Sequence, residues 1–176
     1  MQSLVNWIVT VTAEGELWHE KSALCCYHWG WRGLARWHEI ESCGDEHTRK
    51  CFTKYIADNF KILPAADLSS SMRAITYMIP DSKGLMNHLS DWKRREQAYI
   101  EQTKEHIARL SAAKHYTLYK MLCDLLCELE NELLYVQILC DNLAFGETQH
   151  HAAQKMKDLH IYFAEKYDGG RIDFDI

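Results

Sequence analysis

The sequence predicts an all-α protein: a single-domain four-helix bundle with one long crossover between its second and third helices and a short fifth helix near the C-terminal end. Only two prolines and eight glycines punctuate the 176 residues, which permits long uninterrupted helices, whereas an all-β chain needs frequent turn signals. Apolar residues recur at three- and four-residue steps along several long segments, the spacing that lines one face of a helix. A hydrophobic content of 47% is enough for one substantial core.

The first helix is predicted over residues 2–28, ending at the Gly30-Trp31-Arg32-Gly33 cluster. Within it, Val5 to Thr12 is rich in β-branched residues, so a strand is the competing reading there. The second helix, over 34–60, carries the stripe Leu34, Trp37, Glu41, Asp45, Thr48, Phe52 and Tyr55. Residues 61–84 hold both prolines and a run of three serines and read as the crossover. At about 3.3 Å per extended residue, that segment can return along the whole helix pair, so the second and third helices can run parallel. The third helix, 85–110, aligns Leu89, Trp92, Glu96, Tyr99, Thr103, Ile107 and Leu110. The fourth, 114–145, has the clearest amphipathic pattern, with Leu118, Leu122, Leu125, Leu129, Glu132, Val136, Cys140 and Leu143 on one face. A fifth helix over about 147–167 follows Gly146, and the tail 168–176 alternates apolar and acidic residues, as expected of a docked or mobile terminus.

Composition excludes several classes of function. A net charge of -5 with interspersed signs leaves no basic footprint for nucleic acid. No apolar run reaches the roughly 18 residues of a membrane span, and the first twelve residues lack the basic flank and cleavage site of a secretory signal. A soluble, cytoplasmic protein without a membrane partner is expected. The seven cysteines, Cys25, Cys26, Cys43, Cys51, Cys123, Cys127 and Cys140, are odd in number and mostly helical. They read as free thiols rather than a disulfide framework. There is no Gly-x-Ser-x-Gly and no phosphate-cradling glycine loop, so nucleophilic hydrolysis has no support.

Carboxylates carry the chemical suggestion. If the third and fourth helices turn near residue 112, Glu96 and Glu128 are equidistant from that turn and face each other at one level. A turn at Gly30 to Gly33 likewise sets Glu16 opposite Asp45 to His47. Both pairs lie roughly 22–24 Å from their turns, near mid-helix. Inward carboxylates are costly unless paired or bound to a cation, so their convergence points to a metal site. Glu96 shares the inward stripe of Leu89 and Trp92, and Glu132 rivals Glu128 because it falls on the leucine stripe. Glu16 and Glu128 keep two readings, ligand or solvated outer-face residue. His38, His47 and His106 lie within reach of the same region, although a lone helical histidine is more often a surface or self-satisfied core residue. Five of the six tryptophans precede residue 40, and such residues favour cores and subunit contacts, so a homo-oligomer is expected.

The segments Gly15-Glu16-Leu17-Trp18, Gly33-Leu34-Ala35-Arg36-Trp37 and Asp45-Glu46-His47, with Glu96 and Cys127-Glu128-Leu129-Glu130-Asn131-Glu132, resemble ferritins and bacterioferritins over about residues 14–145. The resemblance implies a ferritin-like bundle with iron at a di-iron carboxylate centre of ferroxidase type. It implies Glu16 as ligand from the first helix, Asp45 or His47 from the second, and Glu96 with Glu128 from the third and fourth. Gly44, Thr48 and Asn131 stand where the Glu-x-x-His pairs of that family would place ligands. The alternative is therefore a metal-free ferritin-like helical oligomer with a structural or partner-binding role.

Overall fold

A computed structural model describes residues 2–66, 82–110 and 114–144. Four long helices account for most of them: α1 (Gln2–His28), α2 (Arg32–Phe60), α3 (Ser82–Arg109) and α4 (Tyr116–Ala144). Among the described residues there is no strand. The expected fifth helix and C-terminal tail lie outside the described residues, as does most of the crossover, of which 61–66 form no regular element.

The β-branched segment at the start of α1 is helical. Leu4, Val5, Ile8, Val9 and Thr12 are buried there, a pattern that follows the helical period. A β-branched residue costs at most about 0.7 kcal/mol of helix propensity, against about 1.5–3 kcal/mol gained when its side chain leaves water. Burial decides the conformation. The Thr12 hydroxyl donates back to the Ile8 carbonyl at 2.9 Å, so its polar group is satisfied inside the helix.

The first hairpin turns where the glycine cluster predicts. Trp31 N–H donates to the Cys26 carbonyl at 2.8 Å, and Gly30 N–H donates to that of Tyr27 at 3.1 Å. These two bonds form a Schellman motif, and Gly30 takes its left-handed position with φ 81°. Gly33 is already helical, because α2 begins at Arg32 rather than at Leu34. At its other end α2 closes on Lys61, left-handed at φ 57°, whose N–H reaches the Ala57 carbonyl at 3.2 Å.

α1 packs on α2 and α3 on α4. Two apolar clusters, each drawing on all four helices, fix how the hairpins combine. One joins Trp18 and Cys26 of α1, Leu34 and Trp37 of α2, Leu85, Leu89 and Trp92 of α3, and Val136 and Leu139 of α4. The other joins Val5 and Ile8, Phe52 and Ile56, Ile100, and Leu118, Leu122 and Leu125. The first therefore holds the C-terminal half of α1 and α4 but the N-terminal half of α2 and α3. α2 and α3 run the same way along the bundle, as the long crossover between them allows. No described helix is long and apolar enough to cross a membrane.

Candidate metal centre

Between the two apolar clusters each helix turns polar residues inward. On α1, Gly15, His19, Ser22 and Cys26 are buried at successive three- and four-residue steps, so they form one file along the helix. α2 supplies His38, Glu41 and Asp45; α3 supplies His88, Trp92 and Glu96; α4 supplies Glu132. His19, His38, His88 and Glu96 are all buried, His38 and His88 completely.

The three imidazoles form a continuous line. His88 Nε2 lies 2.8 Å from His38 Nε2, and His38 Nδ1 lies 2.8 Å from His19 Nδ1. His19 Nε2 then stands 3.4 Å from Glu132 Oε1. A neutral imidazole has one donor and one acceptor, so the line is satisfied by tautomers that all point the same way. Indole groups hold two of the carboxylates: Trp92 Nε1–H donates to Glu132 Oε1 at 2.6 Å, and Trp37 Nε1–H to Glu41 Oε1 at 2.7 Å. Aromatic rings close the sides. Trp18 stacks on His88 with centroids 5.3 Å apart and planes at 9°, and Trp92 lies 4.4 Å from His38. The tryptophans expected from sequence to fill core or interface thus include three, Trp18, Trp37 and Trp92, that wall a polar cluster.

The electrostatics favour neutral groups. Burial lowers His19 and His88 to about 3, and it holds His38 well below its usual value, with the neighbouring imidazoles adding to the effect. Burial raises Glu41 to about 8, with Glu132 adding to the effect. Asp45 and Glu96 are likewise pushed well up by burial and then by the Glu132 carboxylate. Glu132 itself is raised by burial, an effect that the Trp92 hydrogen bond and the Arg95 guanidinium partly offset. Four carboxyls and three imidazoles in a dry layer therefore take up or give up protons to avoid charge. A bound divalent cation reverses that preference, since its own charge stabilises the carboxylates.

Two of the layer's histidine and carboxylate residues carry a buried polar atom with no partner, Glu96 at Oε2 and His88 at Nδ1. Buried groups left unsatisfied in this way each cost about 1–3 kcal/mol. Each of these two residues belongs to a set of potential ligands in which one donor atom per residue lies within 4.8 Å of the others, His19 with Glu96 and Glu132, and Cys26 with His38 and His88. Ligands about 2.0–2.2 Å from a shared ion stand at most about 4.4 Å apart, so small side-chain shifts complete either set. The first set borders an enclosed cavity of ≈ 20 Å³, which Asp45 and Arg95 also line. That space admits about one water-sized occupant. Arg95 sits 5.0 Å over the Trp18 ring and donates to the Tyr99 hydroxyl at 3.0 Å.

The residues that sequence reasoning singled out are divided by the fold. Glu96 and Glu132 share one ligand set, and Asp45 lines the same cavity. Glu16 is at that height but faces sideways, where Arg49 Nη2 contacts its Oε2 at 2.5 Å. His47 is exposed, 3.5 Å from Cys51 Sγ. Glu128 is exposed on α4 and acts on the layer through its charge, helping to raise Glu41 and Asp45. Counting from the hairpin turns gave the level correctly, since Gly15 meets Asp45 about Gly30 and Trp92 meets Glu132 about residue 112. It did not give the rotation of α4: Glu132 turns inward, whereas Glu128, one turn before it, is exposed.

His19, His88 and Glu41 carry no ligand role in the sequence pattern, and His38 is there a lone helical histidine. The steps His38, Glu41, Asp45 and His88, Trp92, Glu96 follow the helical period and are the signal for His38, Glu41 and His88. No family model matches the sequence, and no curated protein matches it at a significant level.

Proposed function

We propose that this chain is a ferritin-like metal protein that holds iron, or a similar transition metal, between its helical hairpins for iron oxidation, storage or handling. The observation that carries this reading is the unpartnered, buried Glu96 Oε2, in a set of potential ligands with His19 and Glu132 beside a cavity sized for one small occupant. One imidazole and two carboxylates form a mixed nitrogen and oxygen donor set of the kind that takes iron, manganese or zinc. Iron there would supply one-electron chemistry toward oxygen or peroxide. The chain's own contribution is to fix the ligands. Trp92 orients Glu132, the line from His38 sets the tautomer of His19, and Asp45 stands by as a further oxygen donor. Such outer contacts hold ligand geometry and tune affinity. Self-association into a homo-oligomer belongs to the same reading and is supported by the exposed Leu24, Tyr27, Leu134 and Ile138; light scattering measures it.

Anaerobic Fe(II) titration of the purified protein tests the site. The expected result is tight binding that Glu96→Gln and Glu132→Gln abolish and Glu16→Gln leaves intact. Equal uptake by the Glu96→Gln, Glu132→Gln double variant and the parent protein would refute the assignment.

A further inference from the structure

We infer a second, softer metal site one layer further along the bundle, in which Cys26, His38 and His88 bind a zinc-type ion. All three residues are completely buried, and their donor atoms lie within 4.8 Å of one another. A second observation at the same residue is that His88 Nδ1 is a fully buried ring nitrogen with no partner. The Ser22 hydroxyl, one helical turn before Cys26 on the same face of α1, is also buried and unpartnered. Two partnerless polar groups and one thiol thus gather beside His38, and Trp18 and Trp92 wall the two imidazoles.

The donor types decide which ion fits. A thiolate and two imidazoles are a soft to borderline set, matched to zinc and its cobalt surrogate, and three protein ligands leave one coordination position open. The neighbouring set of one imidazole and two carboxylates is harder, so the two sets sort metals by chemistry. Binding requires the Cys26 thiol to lose its proton, which burial opposes in the empty protein; the ion replaces that proton on sulfur, and one proton leaves per ion bound. The net charge left in the pocket is then a single positive charge. His38 joins the two sets, since its Nδ1 meets His19 Nδ1 while its Nε2 meets His88 Nε2.

Cobalt(II) titration of the full chain reads the site directly, because only a sulfur ligand gives the near-ultraviolet thiolate-to-cobalt charge-transfer band. The expected result is one such cobalt per chain, lost in Cys26→Ser and in His88→Gln and displaced by zinc. Cys140→Ser, which alters a buried cysteine outside the set, should keep the band. Glu96→Gln should also keep it while losing iron uptake at the harder set, so failure of either site is seen separately. If Cys26→Ser impairs folding, X-ray absorption at the zinc edge of the parent protein serves instead, with one sulfur at about 2.3 Å expected. A band that survives Cys26→Ser, a band that disappears with Glu96→Gln, or a zinc shell of nitrogen and oxygen alone would overturn the proposal.

Discussion

Gly15 on α1 and Asp45 on α2 meet across the first hairpin, where a Cβ at position 15 would stand 2.9 Å from Cγ of Asp45. The glycine is what lets a carboxyl group enter the layer beside His19 and Glu132. Gly15→Ala would ordinarily gain about 1 kcal/mol of helix propensity, but the contact must be relieved by moving Asp45 or parting the helices, at about 1–3 kcal/mol. Gly15→Ala is therefore expected to destabilise the protein by about 1 kcal/mol net, a fall of roughly 2–4 °C in Tm. A thermal melt that shows a rise in Tm counts against the close approach.

Stability of the chelator-treated protein should fall as pH rises above neutrality. Glu41 titrates at about 8 in the fold against 4.5 in its ordinary state, so its contribution is complete at low pH and is lost as pH rises through about 8. Asp45 and Glu96 act in the same direction. His19 and His88, lowered from 6.5 to about 3, do the opposite: they cost stability as pH falls below 6.5, and have no further effect above it. The two trends oppose each other in weak acid, and only the carboxyl trend remains from pH 6.5 to 8. Tm is expected to decline across that interval, with a smaller decline in Glu41→Gln. A flat or rising profile would show that these carboxyls are already ionised.

Trp92→Phe should weaken metal binding by about 10–100-fold, the usual effect of losing a contact that orients a ligand. Its indole N–H is the donor that holds Glu132 Oε1 at 2.6 Å. Competition with a chromophoric chelator gives the affinity, and a melt run alongside separates loss of orientation from loss of packing. Unchanged affinity would mean that Glu132 does not need this donor.

Arg49→Ala should have little effect of either kind. Its ion pair with Glu16 is partly exposed, and such pairs contribute about 0–1 kcal/mol. The expected change in Tm is within a few degrees, with the same iron equivalents as the parent protein. Loss of an iron equivalent in this variant would bring Glu16 back as a ligand.

The four helices were legible because their signal is local. Leucine spacing along α4 and the glycine at the first turn each act within a few residues, and the structure follows both. The strand alternative for Val5 to Thr12 could not be dismissed locally, since only the partners buried against Val5 and Ile8 outweigh their propensity. The candidate site was legible in part for the same reason. Glu96 and Glu132 lie on stripes that the sequence displays, whereas His19 on α1, His38 on α2 and His88 on α3 are separated by 19 and 50 residues.

The sequence by itself therefore determined the helices and the level at which acidic residues gather, and it allowed the parallel course of α2 and α3. Only the tertiary structure decided which side chains at that level turn inward. Glu128 and Glu132 stand one turn apart on nearly the same side of α4, so a small rotation decides which of them is buried, a similar small rotation of α1 sends Glu16 to Arg49, and both are set by how the faces of all four helices pack together. Packing also brought the three imidazoles into line, because contact between distant helices has no periodicity that one helix can reveal.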